Sequence, residues 1–328
     1  MSVFDEAVAA VQAADVERVG ELLRAEPHLV TRRGGDEQQS LLDHALWALL
    51  VGDWSRPPTI APDPDGARMG VVRLLLDVGA DVNGRAIHGW TPLHTAQYDG
   101  HVGATLLLLE RGADPHAEVY GAGGTPLVQA LFWGHHAAAD ALAAHDVTPR
   151  NLRVAAGLGR EDLVAACFDA DGALRPAAAG GRAWYRPHDA FPEWSPSGTA
   201  QEILDEALCY AVRNGRTAVL DTLLAAGARA DGAPYGGGPL HWAAAQGRTD
   251  LCRVLLDRGA DPSLRAQYGA QEGVTPLHCA AWMDRVDVAR LLLERGADPA
   301  IEDRTHGGTP LGWARHMGSA RVAELLDG

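Results

Sequence analysis

Three segments of this sequence repeat one another at a fixed interval. Thr275-Pro276-Leu277-His278 is followed, nineteen residues after its leucine, by Gly296 in the run Arg295-Gly296-Ala297-Asp298-Pro299. Leu93 of Thr91-Pro92-Leu93-His94 stands the same distance from Gly112, and Leu240 of Pro239-Leu240-His241 the same distance from Gly259. A fixed internal period restricts architecture more than composition does. Each unit is one supersecondary element that cannot bury its apolar side alone, so neighbours must stack.

Each part of the unit has a local cause. Thr caps a first helix through its hydroxyl. Pro follows where its preset φ fits and its missing N–H is not needed. The leucine and the alanines three and four residues on form a narrow apolar stripe, and small alanines allow close approach. Gly100, Gly247 or Asp284 then breaks the chain. The second helix is richer in Leu and Val, as in Val286, Val288, Leu291, Leu292 and Leu293. Gly-Ala-Asp supplies a left-handed C-cap and a turn.

On these motifs the chain resembles the ankyrin-repeat proteins, whose unit is a helix, a turn, a helix and a β-hairpin finger. The resemblance implies an all-α repeat solenoid, a curved stack of about nine helix pairs with first helices and fingers on the concave side. It also implies that His94, His241 and His278 are structural, bonded back near the Thr, rather than metal ligands or catalysts. It says little about function.

The formal net charge is −15, which disfavours nucleic acid and anionic membranes as partners. No apolar run of about 18 residues is present to span a bilayer. The start, Met1-Ser2-Val3-Phe4-Asp5-Glu6, lacks a basic n-region, so no secretory signal is read. Cys167, Cys209, Cys252 and Cys279 show no CxxC spacing, which fits free thiols in a cytoplasmic protein. Every basic side chain is Arg and none is Lys, which excludes lysine Schiff-base chemistry.

Residues 4–33 read as a degenerate first unit with Asp15 at the start of its second helix. The second unit begins at Ser40-Leu41-Leu42, and its Gly79 comes 18 residues late, which places an insertion near 52–66 between its two helices. Units three and four follow, and 1–150 is taken as one block. Leu152 comes only 25 residues after Leu127, so a finger is expected to be missing between units four and five. Leu208 then lies 56 residues on, about 23 beyond the period. Residues 151–207 are therefore a short unit five plus a Pro/aromatic insertion, with Glu202 to Ala207 extending the next first helix backward. Units six to nine occupy 208–328.

In this architecture the side chains two, five and six residues after the motif leucine face the concave side. Eight aromatics fall there: Trp47, Tyr98, Phe132, Trp133, Tyr210, Trp242, Trp282 and Trp313. Such a density resembles interface anchors; the competing account is packing between repeats. Residues 182–197, with Trp184, Tyr185 and Trp194, are expected to fold over this face and close a pocket; the competing account is a solvated loop. Arg186, His188 and Asp189 would be its polar groups, joined by Asp99, Arg213 or His316. No metal site is expected from His135-His136, whose side chains diverge, and no phosphate loop from Gly121-Ala122-Gly123-Gly124 or Gly236-Gly237-Gly238, which lack the preceding strand. Ser195 and Ser197 have no nucleophile elbow around them, and no cofactor is expected.

Two functions follow. The first is a recognition protein that holds a peptide or protein along the aromatic groove, as the resemblance implies. The second is a binder of an aromatic or cationic small molecule, or an enzyme using His188 with Asp189 or Asp99 as acid and base.

Overall fold

The computed structural model describes residues 2–35, 38–51, 59–60, 66–86, 89–119, 123–145, 151–182, 196–234, 236–268 and 271–328. They form two compact units, 1–148 and 149–328.

Unit 1 is built from four helix pairs: α1 (Val3–Gln12) with α2 (Val16–Ala25), α3 (Leu41–Trp47) with α4 (Ala67–Asp77), α5 (Pro92–Tyr98) with α6 (Val102–Glu110), and α7 (Pro126–Trp133) with α8 (His136–Ala143). First helices pack on first helices, α1 on α3, α3 on α5 and α5 on α7; second helices stack beside them. An antiparallel hairpin, β1 (Arg33–Gly34) with β2 (Gln39–Ser40), leads into α3. A second, β3 (Leu50–Val51) with β4 (Thr59–Ile60), lies in the insertion after α3; most of the rest of that insertion lies outside the described residues. The finger expected to be missing after unit four falls on residues 146–150, also outside them.

Unit 2 continues with α9 (Leu152–Gly157) and α10 (Glu161–Ala166), α11 (Ala200–Arg213) and α12 (Leu220–Ala225), α13 (Pro239–Gln246) and α14 (Thr249–Asp257), α15 (Pro276–Trp282) and α16 (Val286–Glu294), and α17 (Pro310–Met317) with α18 (Ala320–Asp327). Its apolar core runs from Leu152 through Leu208, Leu240 and Leu277 to Val322. The backward extension of a first helix is present: α11 starts at Ala200, capped by Thr199, and spans 14 residues. The hairpin β5 (Ala266–Tyr268) with β6 (Gln271–Val274) is the finger before α15.

The motif histidines tie one repeat to the next. Thr91 Oγ1 accepts from the His94 backbone N–H and lies 2.8 Å from His94 Nδ1, which also accepts from the Thr91 N–H. With Nδ1 an acceptor, Nε2 carries the proton and donates to Gly124 O of the following repeat at 3.1 Å. Thr275 and His278 repeat this arrangement, with His278 Nε2 at 2.9 Å from Gly308 O. All three imidazoles are buried, and desolvation pushes His94 and His241 from 6.5 down to about 4.

The turn between the two helices is clasped from the next repeat. Arg216 Nε donates to Gly157 O and Arg285 Nε to Ala245 O, each at 3.1 Å; His135 Nε2 does so to Tyr98 O. The arginine stems pass so close to the turn that a Cβ on Gly159 or Gly247 would lie 2.9 Å from Arg216 Cδ or Arg285 Cδ. These glycines therefore answer both a positive φ and a lack of room. At Asp284, which keeps the turn at φ 52° without glycine, the carboxylate instead bonds Arg321 Nε and the Val322 N–H.

His241 departs from the pattern. Its Nε2 reaches Val274 O at 3.0 Å, but Gly238 stands where the motifs of His94 and His278 have Thr91 and Thr275, so no hydroxyl meets Nδ1. Gly238 has φ −69° and ψ 172°, like the threonine caps, and a Cβ there would make only ordinary contacts, including His241 Nδ1 at 3.7 Å. Gly238→Thr is expected to stabilise the protein by roughly a few tenths of a kcal/mol, read as a higher midpoint in urea. A lower midpoint would contradict this reading of the cap.

Candidate binding faces

In unit 1 the ends of the first helices bring a run of rings together. Trp47 ends α3, Tyr98 ends α5, and Phe132 and Trp133 end α7, because a helix of about seven residues puts the fifth and sixth positions after the leucine at its C-terminus. Trp90, in the segment before Thr91, stacks on Trp47 at 6.3 Å and 18° and lies 5.7 Å from Tyr98. Tyr98 is 5.7 Å from Trp47 and 5.1 Å from Trp133, and Trp133 is 5.3 Å from Phe132. Tyr98 and Phe132 are buried; Trp47, Trp90 and Trp133 are half-buried. Burial pushes the Tyr98 phenol up to about 12.

Asp99 follows Tyr98 and is 6% exposed. Burial raises its carboxyl from 3.8 to about 7, against the opposing effect of backbone N–H groups at Asp99 and His101. Its Oδ1 has no hydrogen-bond partner among the described residues, and neither has the side-chain amide of Gln129 on α7.

Unit 2 carries a second ring series. The guanidinium carbon of Arg213, a fully buried residue, sits 3.6 Å from the centre of the Trp242 ring. Trp242 donates from Nε1 to Gly237 O at 3.0 Å and packs 4.8 Å from Tyr268. Tyr268 lies 6.0 Å from Trp282, and Trp282 lies 6.1 Å from Trp313. Trp313 Nε1 donates to Asp303 Oδ2. Tyr210 is buried, with the Arg153 guanidinium 5.6 Å from its ring. Trp282 and Trp313 remain half-buried, whereas Trp242 is buried. His316 is exposed.

Beside this series lies an ion cluster that sequence reasoning missed. Glu206, fully buried, accepts from Arg153 Nη1 at 2.8 Å and from Arg182 Nε. Arg182 Nη2 also bonds Glu202 Oε1, and the same oxygen accepts from the Ser197 N–H at 2.8 Å. The two ends of the aromatic insertion thus meet on one carboxylate at the start of α11. Trp184, Tyr185, Arg186, His188, Asp189, Trp194 and Ser195 lie outside the described residues. The glycine runs serve packing: Gly123 N–H donates to Glu118 Oε1, a Cβ on Gly124 would overlap Val119 O, and Gly237 O is the Trp242 acceptor. Trp90 and Tyr268, also missed, sit on the approaches to Thr91 and Thr275 rather than in helix register; an aromatic in the finger segment is the signal that would have found them.

A sequence profile of ankyrin repeats, three copies long, matches residues 66–153 and 208–303, more than half of the chain. The chain belongs to the ankyrin-repeat family. Repeats of this family generally mediate protein–protein binding. One relative, the 2-5A-dependent ribonuclease of Mus musculus, is 47% identical over 58 residues, which are 17% of this chain and 8% of that protein. Among the described residues of this ankyrin-repeat protein, no helix is long and apolar enough to cross a membrane.

The raised carboxyl of Asp99 has a definite linkage sign. The unfolded chain gives up this proton near pH 3.8 and the folded chain only near 7, so the Asp99 contribution to wild-type stability falls as pH rises between those values. In Asp99→Asn this loss is absent. The variant is expected to match wild type near pH 4 and to exceed it progressively up to pH 8, at about 1.4 kcal/mol per pK unit as an upper bound. A stability difference that stays constant from pH 4 to 8 in urea titrations would rule out the raised carboxyl.

Proposed function

We propose that this ankyrin-repeat protein is a cytoplasmic recognition protein that holds a peptide or protein segment along the first-helix face of its repeats. The observation that carries the reading is the ring series of unit 1, in which Trp90, Trp47, Tyr98, Trp133 and Phe132 follow one another at 5.1–6.3 Å. Half-buried tryptophans backed by buried rings resemble the anchors that dominate binding energy at interfaces, where they are pre-ordered before the partner arrives. In unit 2 the half-buried Trp282 and Trp313, 6.1 Å apart, are comparable anchors. The 58 residues shared with the mouse ribonuclease are 8% of that protein and are too few to carry its activity over to this chain.

Random-peptide display against the full chain tests this. Selected peptides are expected to change tryptophan emission on binding. Trp47→Ala and Trp133→Ala, checked for folding by thermal melts, are each expected to weaken them by about tenfold or more, one anchor's worth. Selected peptides that bind both variants as well as they bind wild type would place recognition elsewhere.

A further inference from the structure

We infer that the first-helix face of unit 1 holds a subsite for a basic side chain of the partner, a cationic head group with N–H donors set against the rings and met by the Asp99 carboxylate. This rests on the reading of that face as a peptide-binding surface and adds what the peptide must carry.

Two polar side chains there have buried atoms without partners among the described residues. Asp99, 6% exposed, has no partner for Oδ1 among the described residues; Gln129, fully buried, has none for Oε1 or Nε2. Unbonded buried polar atoms are rare and costly, so each calls for an explanation. Repeat packing does not supply one. The positions equivalent to Asp99, six after the motif leucine, hold Trp133, Asn214, Gln246 and Met283 in other repeats; those equivalent to Gln129 include Val154 and Cys279. The fold accepts apolar groups at both places.

The two residues belong to one small region. α5 and α7 pack side by side, Asp99 adjoins Tyr98, and Gln129 lies one helical turn before Trp133 on the same face. Tyr98 and Trp133 are in ring contact at 5.1 Å. Two of its unbonded atoms, Asp99 Oδ1 and Gln129 Oε1, are acceptors. A carboxylate oxygen and an amide oxygen both accept, and ring faces attract cations. An ammonium or guanidinium group satisfies all of these at once, and the Gln129 amide N–H groups suit a carbonyl of the same peptide. The chain's net charge of −15 and absence of lysine favour a basic partner at long range. Burial holds the free Asp99 carboxyl near 7, and a bound cation draws it back toward ordinary carboxylate values.

The test uses the full chain and three probes: Nα-acetyl-lysine methylamide, Nα-acetyl-arginine methylamide and the uncharged Nα-acetyl-norleucine methylamide. Binding is followed through the ¹³C carboxyl resonance of Asp99, which does not depend on any variant folding, and through Asp99→Asn. A cationic probe is expected to shift that resonance and lower its titration midpoint, with norleucine inert and Asp99→Asn about tenfold weaker, the size of one charge-assisted hydrogen bond. Whichever of lysine and arginine binds more tightly identifies the head group. Equal binding of charged and uncharged probes, or an Asp99 resonance unmoved at saturation, overturns the inference. If cationic probes fail while display-selected peptides bind and are weakened by Trp133→Ala, the inference falls and the peptide-binding reading stands; if no peptide binds this face, both fall.

Discussion

A buried neutral imidazole reaching from the start of one first helix to a carbonyl of the next repeat is the contact that fixes the stacking at His94, His241 and His278. At His94 and His278 a Thr hydroxyl and N–H fix Nδ1 as the acceptor, and a backbone carbonyl of the next repeat receives the Nε2 proton. The same contact sets how far apart successive first helices lie. That spacing is what brings Tyr98 within 5.1 Å of Trp133 and, in unit 2, Trp282 within 6.1 Å of Trp313. The turn clasps from His135 and Arg285 act on the opposite ends of α5 and α13. α5 and α13 are thus pinned at both ends, by His94 and His135 in one case and by His241 and Arg285 in the other.

The pinned face is where the sequence spends residues that stacking does not need. Alanine suffices to pack first helices together, yet this chain places Trp, Tyr, Arg and Asp at the helix ends. Some of these rings have become structural: Tyr98, Phe132, Tyr210 and Trp242 are buried. In unit 1 Tyr98 and Phe132 back the half-buried Trp47 and Trp133; in unit 2 Trp242 reaches the half-buried Trp282 and Trp313 through Tyr268. Rings backed in this way lose less entropy on binding. The buried, partly unbonded Asp99 and Gln129 add polarity where the fold would accept an apolar group.

Much of the architecture was legible because its causes are local. The nineteen-residue interval, the threonine caps and the closing glycines locate helices by themselves, and the 14-residue α11 follows from the spacing before Leu208. Asp284 reads as a substitute for glycine, and its carboxylate has work at that place. The site was legible only in part. Helix register assigns Tyr98 and Trp242 to a face but does not say what packs over them, so their burial was not foreseen. Trp90 and Tyr268 join the ring series from finger segments, where no helical register applies. The cluster of Arg153, Arg182 and Glu206 joins residues up to 53 positions apart, a separation that depends on how the insertion returns to α11 and leaves no periodic mark.

The most direct test of this account is the protonation of the motif histidines. ¹⁵N resonances of His94 and His241 are predicted to show neutral rings with the proton on Nε2 at neutral pH, and to stay so until the pH nears about 4. Because the unfolded chain binds those protons from about 6.5 downward, their contribution to stability should fall as pH drops from 6.5 towards 4. Rings that titrate near 6.5 in the folded protein, or that carry the proton on Nδ1, would contradict the contact from which the stack has been built.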